Sequence, residues 1–564
     1  MPAAPARRVA WFPLGVLLIL VAAALWRGLV AVNLPVIAKD GVTFCWYARD
    51  LGASGLNFLR SESAHQHPLF PALVLGVQRA AAGLGAPDTP RTWQYSGQLV
   101  AGLAGLVVIA LAGALAARLI RRLELPLNAR LAALLAMAFA AVLDLNVWLS
   151  ADVMSDQLHL AFYLGAVFVL LELATARAAL LVGLLSGLAF LTREEGFVPA
   201  LAAVFALLMA RRHARAAGQI APSHRGLAAR AVLVLAGFLV CAAPYWAVVG
   251  QFSGKKNVFD WLRGEATAHQ DVPENGVSDR PCDALMCAKL ETVDLPWYAV
   301  LPQALYKLLR AGRVVIPVLA LPALLSLRRR LLAPPLAGYT ACLAGHFTLT
   351  LLLLAHYGYL DPRHMLVVVM LLAPLAGMQL SRLVSLLLDL RRRRAAAVLI
   401  AVFLLPSALY ALRMPNRQDA FLARAADWLI GHDPHRAGRR LVCSQSGRRI
   451  AFYAGLRAEP WSEDPNDPAL PVALRDPAAG YFAIELEAPA QEDFERRGNR
   501  ALLECLMNDP TVAGNLRCVH VEPAPDGVEL HLFAIGQPPA APAPDVSSRP
   551  GASATQSVLP APTE

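Results

Sequence analysis

The segment WFPLGVLLILVAAALWRGLVAV, residues 11 to 32, decides the class of this protein. A helix of about 20 mostly apolar residues is long enough to cross the hydrocarbon core of a bilayer. The segment lacks a small-residue cleavage site after a short apolar core, so we interpret it as a retained span rather than a signal peptide. The stretch from residue 39 to 73, KDGVTFCWYARDLGASGLNFLRSESAHQHPLFPAL, is polar and then briefly apolar again. We therefore expect a polar loop on the far side of the membrane.

The composition extends this interpretation to most of the chain. Its 564 residues are 57% hydrophobic and 16% charged, with a mean hydropathy of +0.48, whereas soluble domains have about 25% charged residues. These values predict a polytopic membrane protein. Apolar runs near the spanning length predict eleven spans, at 11–32, 98–117, 131–149, 157–174, 178–193, 196–210, 230–249, 313–327, 332–355, 364–381 and 395–412.

Basic residues indicate the orientation of these spans, because Lys and Arg in short loops tend to stay in the cytoplasm. Arg7 and Arg8 precede the first span, and basic clusters follow every second crossing, at 118–122, 211–215, 328–330 and 391–394. The N-terminus is therefore expected in the cytoplasm, and the loops 33–97 and 250–312 and the region beyond residue 414 outside. The same clusters hold most of the basic residues behind the net charge of +10, so this charge does not indicate a nucleic-acid partner.

The sequence divides into three regions. Residues 1–413 are predicted to form a mostly α transmembrane bundle. Residues 414–536 are predicted to form a small extramembrane α/β domain, because strand-like segments (YFAIELEA, GVELHLFAIG) alternate with helical ones (DAFLARAADWLIG, RRGNRALLECLM). Residues 537–564 are rich in Pro and Ala and are predicted to be disordered. Residues 67–85 and 297–313 predict two helices in the outer membrane interface.

The cysteines do not indicate zinc, because no CxxC or Cys/His spacing is present. Cys282 and Cys287 share one outer loop, and Cys443, Cys505 and Cys518 share the C-terminal region, where an oxidising compartment permits disulfides. No cofactor is expected, and the sequence does not support a divalent metal.

Four groups of polar residues fall at the outer ends of spans. They are Asp40 with Asp50, His65 and His67; Asp152, Asp156 and His159; Arg193, Glu194 and Glu195; and Tyr359, Asp361, Arg363 and His364. Each has an ordinary explanation: Asp forms turns, acids favour helix N-termini, a polar hairpin can join two spans, and Tyr belongs to the interfacial belt. For Asp152 we adopt the ordinary explanation, a charge at a helix N-terminus.

Several members of these groups are better explained by function. Asp156 lies one turn deeper than Asp152, where an ionisable side chain is costly. Arg193 lies on the outer side, against the positive-inside trend, and suits either an acidic partner or a bound phosphate. Arg363 and His364, at the outer mouth of span 10, suit an anionic ligand. Carboxylates and cations beside an apolar surface suit a lipid with a phosphate head group. They also suit group transfer from that lipid, with a carboxylate base and with cations that stabilise the departing phosphate.

The order of these motifs resembles the GT-C membrane glycosyltransferases. The series consists of an acid directly after span 1, a His-Pro-Leu step, an acid opening span 4, L-T-R-x-x-G between spans 5 and 6, and an Arg entering span 10. It is most similar to the glycosyltransferase 39 and 83 branch, which includes protein mannosyltransferases and the lipid A aminoarabinose transferase. The likeness covers about residues 10–412, and GRRIAFYAGLR at 447–457 is similar to a tail motif of some bacterial members.

The resemblance implies inverting transfer of a sugar from a polyprenyl-phosphate donor to a lipid, glycan or protein acceptor, on the periplasmic side of a bacterial inner membrane. It implies Asp40 as the catalytic base. We assign substrate binding to His67, Asp156, Arg193, Glu194, Tyr359, Arg363 and His364. One departure is Gly41 after Asp40, where many members have Glu, so a second carboxylate and an Asp-x-Asp metal motif are missing there.

Two other classes of protein stay open: a non-catalytic flippase or permease for lipid-linked sugars, and a degenerate family member whose outer domain only binds a partner. A permease would place ionisable residues near mid-membrane in broken helices. Here the strongest polar cluster lies at the outer boundary, which favours the enzyme.

The first prediction concerns topology. Reporter fusions at Arg215 and at Gly536 should give a cytoplasmic and a periplasmic signal respectively, because the basic clusters alternate along the chain. A cytoplasmic signal at Gly536 would contradict the eleven-span arrangement.

Overall fold

The computed structural model describes residues 11–61, 66–216, 218, 223–250, 252, 297–331, 333–334, 336–357, 360–413, 419–436, 438–444, 447–460, 469–476, 478–486, 499–524 and 527–536. His65, Cys282, Cys287 and Tyr359, which the sequence singles out, lie outside the described residues, as does the tail at 537–564.

Helices dominate the described residues, as the composition predicts. Those up to the last predicted span are α1 Trp11–Val32, α2 Lys39–Ser54, α3 Leu69–Gly83, α4 Pro90–Arg122, α5 Ala129–Val142, α6 Asp144–Ala151, α7 Asp156–Leu170, α8 Ala176–Phe190, α9 Val198–Ala216, α10 His224–Val249, α11 Trp297–Ala311, α12 Val315–Leu331, α13 Ala337–Tyr357, α14 Leu366–Asp389 and α15 Arg393–Ala411. Short 3-10 helices cover Gly55–Arg60, Glu194–Phe197 and Pro362–Met365.

The helices confirm a multi-pass membrane protein. Every predicted span coincides with a helix or with a bent pair of helices. Among the described residues, seven helices (α1, α4, α9, α10, α13, α14 and α15) are long and apolar enough to cross a membrane, or up to nine if each of two bent pairs is one span. Helices α7 and α8 have 15 residues each, which is about 22 Å at 1.5 Å per residue. The count of eleven needs both of them and stays a prediction.

One of the bent pairs is α5 and α6, which meet at 61°. A break exposes backbone carbonyls that a continuous helix would satisfy, and two side chains replace the lost donors. Asn146 Nδ2 donates to Ala140 O at 2.6 Å, and Arg27 Nη1 donates to Ala141 O at 3.3 Å. Arg27 Nε also donates to Ser150 Oγ at 2.7 Å. Arg27 lies inside an otherwise apolar span, and its guanidinium stabilises the break through these hydrogen bonds.

An ion pair links this break to the other bent pair, α11 and α12, which meet at 113°. Asp144 is buried in the first turn of α6 and accepts a hydrogen bond at 2.8 Å from Nε of Arg313, which lies between α11 and α12. The Arg313 guanidinium also stacks over the ring of Tyr410, 3.4 Å from its centroid. The charge pair thus fixes two bends against each other.

Helices α8 and α10 contact each other backbone to backbone through glycines. A Cβ atom added to Gly183 would lie 2.1 Å from Val234 O, and one added to Gly237 would lie 2.5 Å from Leu180 O. This close approach holds the short α8 in the bundle and positions the residues that follow it.

The chain divides into two compact units. The first comprises residues 1–434 and 445–455, and the second comprises residues 435–444 and 456–564. The predicted domain that starts at residue 414 therefore contains two helices, α16 Ala420–His432 and α17 Arg448–Ala454, whose contacts place them in the first unit.

The second unit contains a five-stranded mixed sheet of order β2-β1-β3-β5-β4. Its elements are β1 Arg440–Cys443, β2 Arg457–Pro460, α18 Ala469–Ala473, β3 Ala479–Leu486, α19 Asn499–Asn508, α20 Pro510–Ala513, β4 Leu516–Pro523 and β5 Glu529–Ile535. Central β3 is buried at every residue, because it has a strand on each side and its Phe482 and Ile484 join the apolar cluster that contains Leu502 and Leu506 of α19. The small α/β fold predicted for this region is present.

The second prediction tests the contact between α8 and α10. Gly183→Ala should lower the free energy of unfolding by about 1 to 3 kcal/mol, because the added methyl group overpacks a backbone contact. The measurement is the thermal unfolding midpoint of the protein purified in detergent. Gly28→Ala in α1 is the matched control, because its Cβ atom meets nothing within 4 Å. Equal midpoints for both variants would contradict the packing described.

Candidate functional site

The site begins with an ion pair between residues that lie 323 positions apart in the chain. Asp40 lies in the first turn of α2, and Arg363 lies in the 3-10 helix Pro362–Met365. Arg363 Nη1 donates to Asp40 Oδ2 at 2.7 Å. The Asp361 side chain accepts a hydrogen bond from the backbone N–H of Arg363 at 2.8 Å, which fixes the start of this short helix. The first and fourth polar groups of the sequence therefore meet.

Arg193 brings the second, third and fourth groups together. It lies between α8 and the 3-10 helix Glu194–Phe197 and donates through Nη1 to Asp156 Oδ1 at 2.8 Å. Its Nη2 lies 3.4 Å from Glu195 Oε1 and 3.4 Å from His364 Nδ1. An arginine guanidinium stays protonated in proteins, and the carboxylates of Glu195 and Asp156 lie beside this one. The guanidinium is thus a permanent positive charge in a mostly buried position.

These charges surround a small cavity of about 20 Å³. Its lining consists of Asp156, His159, Leu160, Arg193, Glu195, His346, Arg363, His364, Leu366 and Val367. Asp40 is not part of the lining, but its ion pair with Arg363 places it beside the cavity. Its side chain retains 34% exposure, so its carboxylate is accessible. Asp156 and Arg363 therefore line one cavity and Asp40 lies beside it, at helix ends that the charge pattern assigns to the outer side.

Two predicted site residues have other positions. His67 is buried, with its ring 5.2 Å from that of Phe190 and 5.5 Å from that of Tyr245, and the cavity lining does not include it. It packs against the end of α8, next to the turn that carries Arg193. Glu194 is half-buried and also lies outside the lining, whereas its neighbour Glu195 contacts Arg193. The roles of His67 and Glu194 stay predictions.

Two buried histidines complete the cavity. His159 Nδ1 lies 3.1 Å from the carbonyl oxygen of Ala189, and His346, which the sequence analysis missed, lies on α13 with its ring centroid 5.5 Å from that of Tyr163. The signal for His346 was present, because an ionisable residue in an apolar span indicates function or a specific partner. It lacked the polar neighbours that identified the four groups.

The segment before Asp40 is held by Asp152. The Asp152 carboxylate accepts the N–H of Ala38 at 3.1 Å and that of Val153 at 2.7 Å. This residue lies directly after α6 rather than inside the start of α7, so the ordinary explanation as a helix N-terminal charge is wrong. A Cβ atom on Gly41 would lie 3.0 Å from Val153 O. This close approach explains why glycine, and not a second carboxylate, follows Asp40.

An apolar groove of about 350 Å³ lies between α9 and α13. Its lining consists of Phe197, Val198, Leu201, Ala202, Phe205, Ala341, Gly345, Thr348 and Leu349. Phe197 follows Glu195 by two residues and Gly345 precedes His346, so the groove and the charged cavity share two chain segments. The geometry offers an apolar surface next to a charged pocket.

Comparison with solved structures identifies the fold. ArnT from Cupriavidus metallidurans in the apo state has a TM-score of 0.56 at 13% identity, over 93% of this chain and 99% of that chain. The same protein bound to undecaprenyl phosphate has a TM-score of 0.54 at 14% identity, with the same coverage. The Archaeoglobus fulgidus oligosaccharyltransferase tethered with an acceptor peptide has a TM-score of 0.55 at 12% identity, over 94% of this chain and 74% of that chain.

These similarities confirm the predicted GT-C fold, a polytopic helical bundle with a small C-terminal sheet region. Identities of 12 to 14% concern the fold alone. No protein-family model and no curated protein sequence matches the chain.

Proposed function

We propose that this protein is a glycosyltransferase that moves a sugar from a polyprenyl-phosphate donor to an acceptor hydroxyl at the outer face of the membrane. The observation that carries the proposal is the ion pair between Asp40 and Arg363, because it places an accessible carboxylate beside a cavity that also contains Arg193. A proton acceptor and two phosphate-binding cations are the groups that this reaction needs. The GT-C fold supports the same class of reaction.

In the proposed reaction the acceptor hydroxyl attacks the anomeric carbon from the face opposite the lipid phosphate. Asp40 takes the hydroxyl proton as the new C–O bond forms, and the bond between the anomeric carbon and the phosphate oxygen breaks. Arg363 and Arg193 stabilise the negative charge on the departing polyprenyl phosphate, so no general acid is required. Attack from the opposite face inverts the anomeric configuration.

The ion pairs of the site have a second consequence for this mechanism. Arg363 donates a charge-assisted hydrogen bond to the Asp40 carboxylate, which is the proposed proton acceptor. When a phosphate binds, Arg363 contacts two anions at once and so sets the distance between the base and the leaving group. Asp156 and Glu195 hold Arg193 from the other side of the cavity.

The apolar groove between α9 and α13 supports a lipid-linked donor. A polyprenyl chain needs an apolar surface that continues from a phosphate site, and the groove begins two residues after Glu195. The solved ArnT structure that matches this fold holds undecaprenyl phosphate. We propose that the isoprenoid units of the donor lie along this groove. We also propose the inner membrane of a bacterium as the location, with the active site on the periplasmic side.

The third prediction concerns the donor phosphate. Arg363→Ala should weaken binding of undecaprenyl phosphate by about one to two decades, because a charge-assisted hydrogen bond contributes roughly 1.5 to 3 kcal/mol. Native mass spectrometry or a fluorescence titration of the purified protein gives the dissociation constant. Arg60→Ala is the control, because Arg60 is exposed in the first outer loop. An unchanged dissociation constant for Arg363→Ala would assign this residue to anchoring α14 only.

The fourth prediction concerns the base. Asp40→Asn preserves the size of the side chain but removes the proton acceptor, so sugar transfer should fall by about 10² to 10⁴. The measurement follows consumption of the lipid-linked sugar pool by mass spectrometry, in membranes that contain equal amounts of each variant. Asp50→Asn is the control: Asp50 lies on the exposed side of α2, so this substitution should lower sugar transfer only slightly. Full activity of Asp40→Asn would refute the base assignment, and translocation without transfer would favour the flippase.

A further inference from the structure

The short helix α17, Arg448–Ala454, lies in the sequence between strands β1 and β2, yet it belongs to the compact unit that contains the spans. Two contacts hold it there. Arg449 Nη1 pairs with Asp419 Oδ2 at 2.7 Å, just before α16. The ring of Phe452 packs edge-on against Trp46 of α2, with 6.4 Å between the centroids. The C-terminal part of the chain thus contributes one helix to the surroundings of α2.

Tyr453 of α17 contacts the segment that leads into Asp40. Its hydroxyl accepts the backbone N–H of Ile37 at 2.9 Å and donates to Gln94 Oε1 at 2.9 Å. Burial raises the pKa of Tyr453, so the hydroxyl stays protonated. Arg91 lies over its ring at 4.8 Å and also donates to Gln94 Oε1 at 2.9 Å. Both the donor and the acceptor capacity of the hydroxyl are therefore used.

Two consecutive backbone N–H groups before α2 therefore donate hydrogen bonds to side chains from distant parts of the chain. Ile37 donates to Tyr453, and Ala38 donates to Asp152. Asp40 follows two residues after Ala38, in the first turn of α2. Helix α2 has no side-chain cap of its own, so these two bonds determine where the helix begins and therefore where the Asp40 carboxylate lies relative to Arg363.

We propose that Tyr453 is a positioning residue for Asp40: its hydroxyl fixes the start of α2 and so sets the distance from the base to the acceptor hydroxyl. This inference rests on the proposed function. Its physical reason is that proton transfer and attack require near-contact geometry, and a displacement of about 1 Å can cost about 10²-fold in rate. The C-terminal region then takes part in the reaction through α17 while contributing no group that touches the substrate.

The test compares Tyr453→Phe with Tyr339→Phe in the full-length protein. Tyr453→Phe keeps the ring and its contact with Arg91 but removes the hydrogen bonds to Ile37 and Gln94. Tyr339 is another buried tyrosine, on α13, and its hydroxyl donates to Leu371 O, so its variant controls for the loss of a buried hydrogen bond. Tyr453→Phe should lower turnover about 10- to 100-fold with an unchanged dissociation constant for undecaprenyl phosphate. Tyr339→Phe should stay within about twofold of the native turnover.

Two further measurements separate positioning from general stability. Hydrogen exchange of the peptide that contains Ile37 should be faster in Tyr453→Phe than in the native protein and in Tyr339→Phe. In an Asp40→Asn background, Tyr453→Phe should have no additional effect on the residual rate, because it acts only through Asp40.

The outcomes distinguish this inference from the proposed function. The positioning role would be overturned by native turnover in Tyr453→Phe, or by an equal fall in turnover with Asp40 and with Asn at this position. In both cases the large loss of transfer in Asp40→Asn would still support the proposed function. Native turnover in Asp40→Asn would instead show that Asp40 is not the base, and Tyr453 would then have no base to position. Three results together support the inference: slower turnover in Tyr453→Phe, faster hydrogen exchange at Ile37, and an unchanged residual rate when Tyr453→Phe is added to Asp40→Asn.

Discussion

The structure depends on the pairing of Arg193 with Asp156 and Glu195 at the ends of apolar helices. An isolated charge in a low-dielectric bundle costs several kcal/mol, so each of these groups requires the others. The three residues come from the start of α7 and from the turn between α8 and α9. Their pairing therefore brings three helix ends to one place, and His364 at the entry to α14 joins them through Arg193.

The same rule governs charges that we do not assign to the site. Arg27 closes the break between α5 and α6 by donating to Ala141 O, and Asp144 pairs with Arg313 at the second bend. The Arg27 contact satisfies a carbonyl group that the helix break would otherwise leave unsatisfied in an apolar environment, and the Asp144–Arg313 contact pairs two opposite charges. Side chains consequently stabilise the two bent helix pairs of this bundle. The cluster that contains Asp156, Arg193 and Arg363 differs from them, because its charged groups line a cavity and do not close a helix break.

The proposed chemistry follows from the residues that surround this cavity. Arg363 is shared between the cavity and Asp40, so one guanidinium can link the leaving phosphate to the base. An apolar groove continues from the same chain segments, which is the arrangement that a lipid-linked donor needs. The start of α2 is held by Asp152 and Tyr453, and neither of them lines the cavity. The rigidity of the catalytic carboxylate is thus supplied by residues outside the pocket.

The sequence by itself determined the membrane class, the position of every helix that corresponds to a predicted span, and four polar groups at one side of the bundle. Apolar length and periodicity are local properties, so a single chain segment carries them. It could not reveal that Glu195 contacts Arg193, because the direction of a side chain in a turn depends on the surrounding packing. It also could not identify His346, Asp152 or Tyr453 as neighbours of the site. The contacts that place them there join residues from 114 to 416 positions apart, and only the packing of the helices decides which distant side chains meet.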